Sequence, residues 1–184
     1  MKRVGDLIPR IAERSKLVMA FCKARRGQRG SAAAHAFGAD LENSLAQLRD
    51  GILRGDVPVG EFHRFEIRDP KPRVIHAPAF RERVLHHAIM NVCEARLDRY
   101  LVDDSFACRR GRGTSGAIAR AQHFTRRHRY VLKLDIARYF DSVDHAILGS
   151  LLARLFKDQV LLGLFARIID SHHASPGRGC RSAR

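Results

Sequence analysis

The sequence predicts an α+β fold, mostly helical, with one β-hairpin and one further strand. Three observations predict it. Apolar residues recur every three to four positions in successive blocks, which is the period of a helix with one buried face. Two β-rich runs flank Asp69-Pro70-Lys71-Pro72, and a short apolar run, Tyr130 to Asp135, ends in a carboxylate.

Taken in order, Asp6 to Cys22 carries Leu7, Ile8, Ile11, Leu17, Val18 and Phe21 on a helical face, which the Gly/Arg/Gln stretch Arg25 to Gly30 breaks. A second helix is predicted from about Ala39 to Leu53, with Leu41, Leu45, Leu48 and Ile52 on one side and Gly55 at its end. Together these suggest a basic helical N-terminal lobe over 1–58, followed by a second region over 59–184. In the hairpin, Phe62, Phe65, Ile67, Val74 and Ile75 lie in the two runs, and the prolines forbid a helix between them. Its tip carries Arg68, Lys71 and Arg73 into solvent or toward a ligand.

A long helix follows from Ala79 to Leu101, with Arg81 and Arg83 near its start, where cations oppose the helix dipole unless they face an anion. The basic loop CRRGRGTSGAIA leads into a helix from about Ser115 to Arg127. After the strand Tyr130 to Asp135, Asp141 or Ser142 can cap a helix beginning at Val143, and a last apolar helix spans Gln159 to Ser171. No internal repeat is visible.

Composition narrows the partners. The net charge is +15, with arginines grouped in CKARRGQRG, CRRGRG and FTRRHRY, and a polyanion such as nucleic acid would neutralise it; solvated basic faces are the plainer reading. The four cysteines form no C-x-x-C pair, so neither a zinc ribbon nor a disulfide framework is suggested. No apolar run approaches the roughly 20 residues that span a bilayer, and Met1 to Arg10 lacks the apolar core of a signal peptide. No membrane partner and a cytoplasmic location are expected.

An aspartate after a strand, such as Asp135, can be a helix cap, a surface charge or a metal ligand. A hard cation such as Mg²⁺ is held by one or two carboxylates plus substrate phosphates, so a nucleic-acid enzyme could use it. Alone it is insufficient, because two-metal phosphoryl transfer needs further carboxylates.

The stretch VLKLDIARYFDSVDH resembles the first catalytic motif of bacterial-type reverse transcriptases, the family of group II introns, retrons and diversity-generating retroelements. KPRVIHAPAFRERVLHHAIMNVCE is similar to their upstream fingers motif. DSFACRRGRGTSGAIA resembles the motif that these enzymes write as Ser-Tyr/Phe-Gly/Ala-x-Arg-x-Gly-Arg/Lys-Gly/Ser. The three occur in the family's order over about residues 60 to 170.

The resemblance implies an incomplete right-hand polymerase fold: fingers from the hairpin and helices, and the start of a palm at Tyr130 to Asp135. It implies RNA-directed DNA polymerase chemistry with Mg²⁺, an RNA template and primer, and deoxynucleoside triphosphates. Asp135 matches the first metal-binding aspartate, and the Ile136 carbonyl would be a further ligand. Phe140 matches the aromatic that walls off the sugar 2′ position, with core packing as its plainer role. Lys71, Arg73, Arg81 and Arg83 lie where the fingers meet the incoming triphosphate. Arg109, Arg110 and Arg112 fall where the family handles template and substrate, with generic phosphate attraction as the alternative. Asp141 and Asp144 read as capping or structural groups, and His86, His87 and His145 as packing or surface groups.

The sequence departs from the family in lacking the Tyr-x-Asp-Asp turn and a thumb. Gly179 to Ala183 can be encoded by bases that, read in another frame, give Leu-Pro-Ile-Gly, a family motif, so 177–184 is expected to be a frameshifted tail. The expectation is then a reverse transcriptase truncated before its second catalytic element and inactive by itself, with a partner chain covering the unfinished palm. A non-catalytic RNA-binding remnant using the basic fingers lobe is the alternative.

Overall fold

The computed structural model describes residues 2–28, 30–137 and 139–171. The element order is α1 (Ile8–Ile11), α2 (Arg14–Arg25), α3 (Ala32–Ala39), α4 (Leu41–Arg54), β1 (Phe62–Asp69), β2 (Lys71–Pro78), α5 (Phe80–Asp98), α6 (Gly113–Thr125), α7 (Tyr139–Ser142), α8 (His145–Leu155) and α9 (Gln159–Ser171). The fold is thus α+β and mostly helical, with one antiparallel hairpin. No helix among the described residues is long and apolar enough to cross a membrane.

Two compact units divide the chain, one built from Met1–Val92 with the chain from His145 onward, the other from Cys93–Asp144. The boundary expected at 58/59 therefore falls inside the first unit. Packing explains this, because the α5 ring of Phe80 sits against Phe21 of α2 and Phe37 of α3, with centroids 6.1 and 5.6 Å away. Leu17, Leu48, Ile52, Val84 and Leu85 are fully buried in the same unit, so the N-terminal helices and the start of α5 each lack a complete core alone.

Sequence periodicity located most helices and blurred some ends. The first predicted helix is two: Pro9 starts α1, and Glu13 is extended at ψ 130° before α2 begins. The Ala-rich α3 was not expected, although five alanines behind Ser31 favour a helix. α4 ends as predicted at Gly55, which is left-handed at φ 75°. There the N–H of Asp56 donates to Gly51 O and that of Gly55 to Ile52 O, a Schellman ending that glycine accommodates without Cβ strain.

The hairpin has the predicted position, with Phe65 opposite Ile75, Ile67 opposite Arg73, and Pro70 between the paired ends. Its base joins the helices through Ala79 N–H donating to Glu61 O at 2.8 Å. The helices α8 and α9 pack on each other and join the N-terminus through a parallel bridge between Val4 and Phe156. The α8 helix starts at His145, so the capping positions expected at 141 and 142 belong instead to the short α7.

One expectation is corrected. Residues 130–136 form no strand; they run as irregular chain with Leu132 80% and Leu134 81% exposed. A strand exists through its hydrogen-bonded neighbour, and the sheet among the described residues pairs β1 with β2 and does not include this run.

Candidate nucleic-acid interface

The hairpin tip is a basic projection. Lys71 and Arg73 are exposed at the start of β2 in the two-stranded ribbon. Arg81 and Arg83, in the first turn of α5, are half-buried, and the Nε of Arg81 is buried without a hydrogen-bond partner among the described residues. Between them, Glu82 points inward at 2% exposure and accepts the Gly60 N–H at 2.9 Å. Its other oxygen lies 3.5 Å from His86 Nε2. Burial pushes the Glu82 carboxyl above the usual carboxylate range, opposed by the Gly60 N–H, while burial pushes the His86 imidazole below its ordinary value.

The second unit holds the other expected residues. Gly111 and Gly113 are left-handed, at φ 74° and 61°, which is the conformational demand that the Gly-x-Gly of the basic loop meets. Arg109 faces inward, with a side chain 7% exposed. It donates to Asp98 Oδ1 at 2.6 Å, to Val102 O at 2.7 Å and to Ser105 O at 3.0 Å. Its guanidinium is thus occupied by the protein's own acceptors, and it holds the Asp98 carboxyl below the usual range.

Arg110 is exposed. Arg112 pairs with Asp103 at 3.3 Å and lies 5.9 Å from the Phe106 ring centroid. Arg120 makes a two-point contact with Asp104, Nε to Oδ1 at 2.6 Å and Nη2 to Oδ2 at 3.2 Å, and covers the Phe124 ring at 4.4 Å. That hydrogen-bonded pair holds the Asp104 carboxyl low.

Asp135 and Ile136 are adjacent and exposed, and Asp135 Oδ1 accepts the Ile136 N–H at 3.0 Å. Phe140, in α7, is 78% exposed, with its ring 5.3 Å from that of Tyr139. The core-packing role weighed for Phe140 does not hold here. No group of three or more His, Cys, Asp or Glu side chains is arranged to hold a metal ion among the described residues. A magnesium pair does not fit what is present, because Asp135 is one carboxylate and two ions need several.

Lys71, Arg73, Arg81 and Arg83 belong to one unit and Asp135, Ile136 and Phe140 to the other. The sequence reading missed Asp98, Asp103, Asp104 and Arg120, which determine what the basic loop offers. A signal existed in the paired acids that immediately precede the loop and in Arg120, two turns into the helix after it. It also missed Glu82, although positions 82, 85 and 89 share the buried stripe of α5. No family model matches the chain, and no curated protein matches it.

Proposed function

We propose that this chain is the fingers and first palm segment of a bacterial-type reverse transcriptase, which binds RNA and does not polymerise by itself. Three motifs in the family's order support it, together with the exposed cations of the hairpin tip and Arg110. The observation that carries the reading is the run 130–136, whose apolar residues suit a central strand, which ends at Asp135, and which lies open to solvent. In this reading the open apolar side chains would be covered by a further element or a partner chain.

In this reading Lys71, Arg73, Arg81 and Arg83 attract the triphosphate of a deoxynucleotide, and Arg110 and Arg112 attract the phosphates of an RNA template paired with its primer. Asp135 and the Ile136 carbonyl offer oxygen ligands, and Phe140 is the sugar-facing wall. Mg²⁺ would supply charge neutralisation of the transferred phosphate when further carboxylates complete the site. A second reading, a non-catalytic RNA-binding module, is favoured by the lack of a group of three or more possible metal ligands among the described residues.

Fluorescence anisotropy of a labelled single-stranded RNA tests the shared part of both readings. Binding should weaken steeply with salt, and Asp135→Ala should leave it unchanged without Mg²⁺. Salt-insensitive or absent binding would defeat both. The nucleotide sequence beyond codon 184 separates them: codons for Tyr-x-Asp-Asp nearby in any frame support the polymerase reading, and their absence supports the binding module.

A further inference from the structure

A cleft of about 510 Å³ opens within the second unit, lined by Asp103, Asp104, Phe106, Arg112, Arg120 and His123. Its cations differ from Arg109. The Arg109 side chain is 7% exposed and donates to Asp98, Val102 O and Ser105 O, whereas Arg112 is held by the largely exposed Asp103 carboxylate together with the Asp103 backbone O, and Arg120 by the partly exposed Asp104 carboxylate; such exposed ion pairs contribute little to stability. A carboxylate and a phosphate present similar acceptor geometry to a guanidinium fork, so the two compete for the same donors. Phe106 supplies an apolar face beside these donors, the combination that receives an unstacked base next to its backbone phosphate.

We propose that this cleft is a subsite for one unstacked nucleotide of single-stranded RNA, whose flanking phosphates displace Asp103 and Asp104 from Arg112 and Arg120 while the base rests against Phe106. The acids are then stand-ins that keep both forks in place until RNA arrives. The inference rests on the RNA-binding reading above and adds to it the position, the self-occluding acids and Arg120, which lies outside the arginine cluster of the loop.

The test uses the whole chain and a labelled 12-nucleotide RNA at low salt, with thermal unfolding of each variant measured alongside. The double variant Asp103→Asn/Asp104→Asn should bind about 3–10-fold more tightly, a gain that misfolding does not produce. Arg112→Gln/Arg120→Gln should bind about 10-fold more weakly, with a log–log salt slope shallower by about 0.7 for each phosphate no longer neutralised. Phe106→Ala should weaken binding at least about 5-fold. Wild-type binding that none of these variants alters would overturn the subsite and leave the RNA-binding reading standing. Weaker binding by the Asn variant would also overturn it, since the acids would then be contacting the ligand. Equal competition by polyglutamate of matched charge would overturn the nucleotide assignment in favour of an acidic protein, and failure of every protein to bind RNA would overturn both.

Discussion

The Asp158 carboxylate accepts the Leu7 backbone N–H at 3.2 Å, joining positions 151 apart in sequence. The same oxygen accepts Ile8 N–H at 3.3 Å, while the other accepts Leu161 N–H at 3.4 Å in the first turn of α9. One side chain thereby satisfies the exposed donors of two helix starts, the terminal groups that otherwise lack partners. It works with the Val4–Phe156 bridge, where Val4 N–H donates to Leu155 O at 3.0 Å and Lys157 N–H to Val4 O at 2.8 Å.

Asp158→Ala should therefore destabilise the first unit by about 1–3 kcal/mol, read as a lower urea midpoint. Asp158→Asn should recover only part of the loss, because its one side-chain oxygen can accept at one helix start while its Nδ2 faces N–H donors at the other. Equal destabilisation by both substitutions would show that the carboxylate acts through its charge instead.

Glu82 and His86 should give the first unit opposing pH slopes. Just above the ordinary carboxyl pKa, the folded chain binds more protons at Glu82 than the unfolded chain does, so this group's contribution falls as pH rises. Below the ordinary histidine pKa of about 6.5, the folded chain binds fewer at His86, so that contribution falls as pH drops. Glu82→Gln keeps an acceptor for Gly60 N–H and should remove the first slope; His86→Gln should remove the second. Unfolding midpoints between about pH 4 and 8 are the measurement, and profiles parallel to wild type would contradict the assignment. Glu82→Ala, which strands the Gly60 N–H, should cost about 1–3 kcal/mol at any pH.

Arg109 should matter for the order of its loop. Arg109→Ala removes the donor that ties Asp98, Val102 O and Ser105 O together, so amide hydrogen exchange across 98–109 should accelerate. Arg109→Lys should rescue little, because an ammonium cannot reproduce three directed contacts of a planar fork. Unchanged exchange in the alanine variant would show that the loop is held by other contacts.

The run 130–136 should drive self-association. Leu132 and Leu134 are the most exposed aliphatic residues of an unpaired irregular segment, the kind that can add to another chain's edge. Leu132→Lys/Leu134→Lys should increase the monomer fraction in analytical ultracentrifugation while leaving the unfolding midpoint unchanged. A fall in the midpoint would mean that these side chains are packed in solution.

Local pattern determined much of this protein. The 3.6-residue period located most of the helices, Gly55 marked the end of α4, and prolines between β-rich runs placed the hairpin, because each depends on backbone preferences of neighbouring residues. The exposed cations Lys71, Arg73 and Arg110 and the acid Asp135 were equally visible in the sequence. Tertiary structure decided the rest. Whether Tyr130 to Asp135 becomes a strand depends on a hydrogen-bonding neighbour, which its own residues cannot supply. Which arginines remain open to a ligand depends on Asp98, Asp103 and Asp104, whose approach is set by the path of the loop. Asp158 looks in sequence like an ordinary cap for α9, and only the folded chain brings the Leu7 N–H within its reach. Short-range sterics write the elements, while hydrogen bonds and charge pairs closed by the folded backbone settle which groups are left for function.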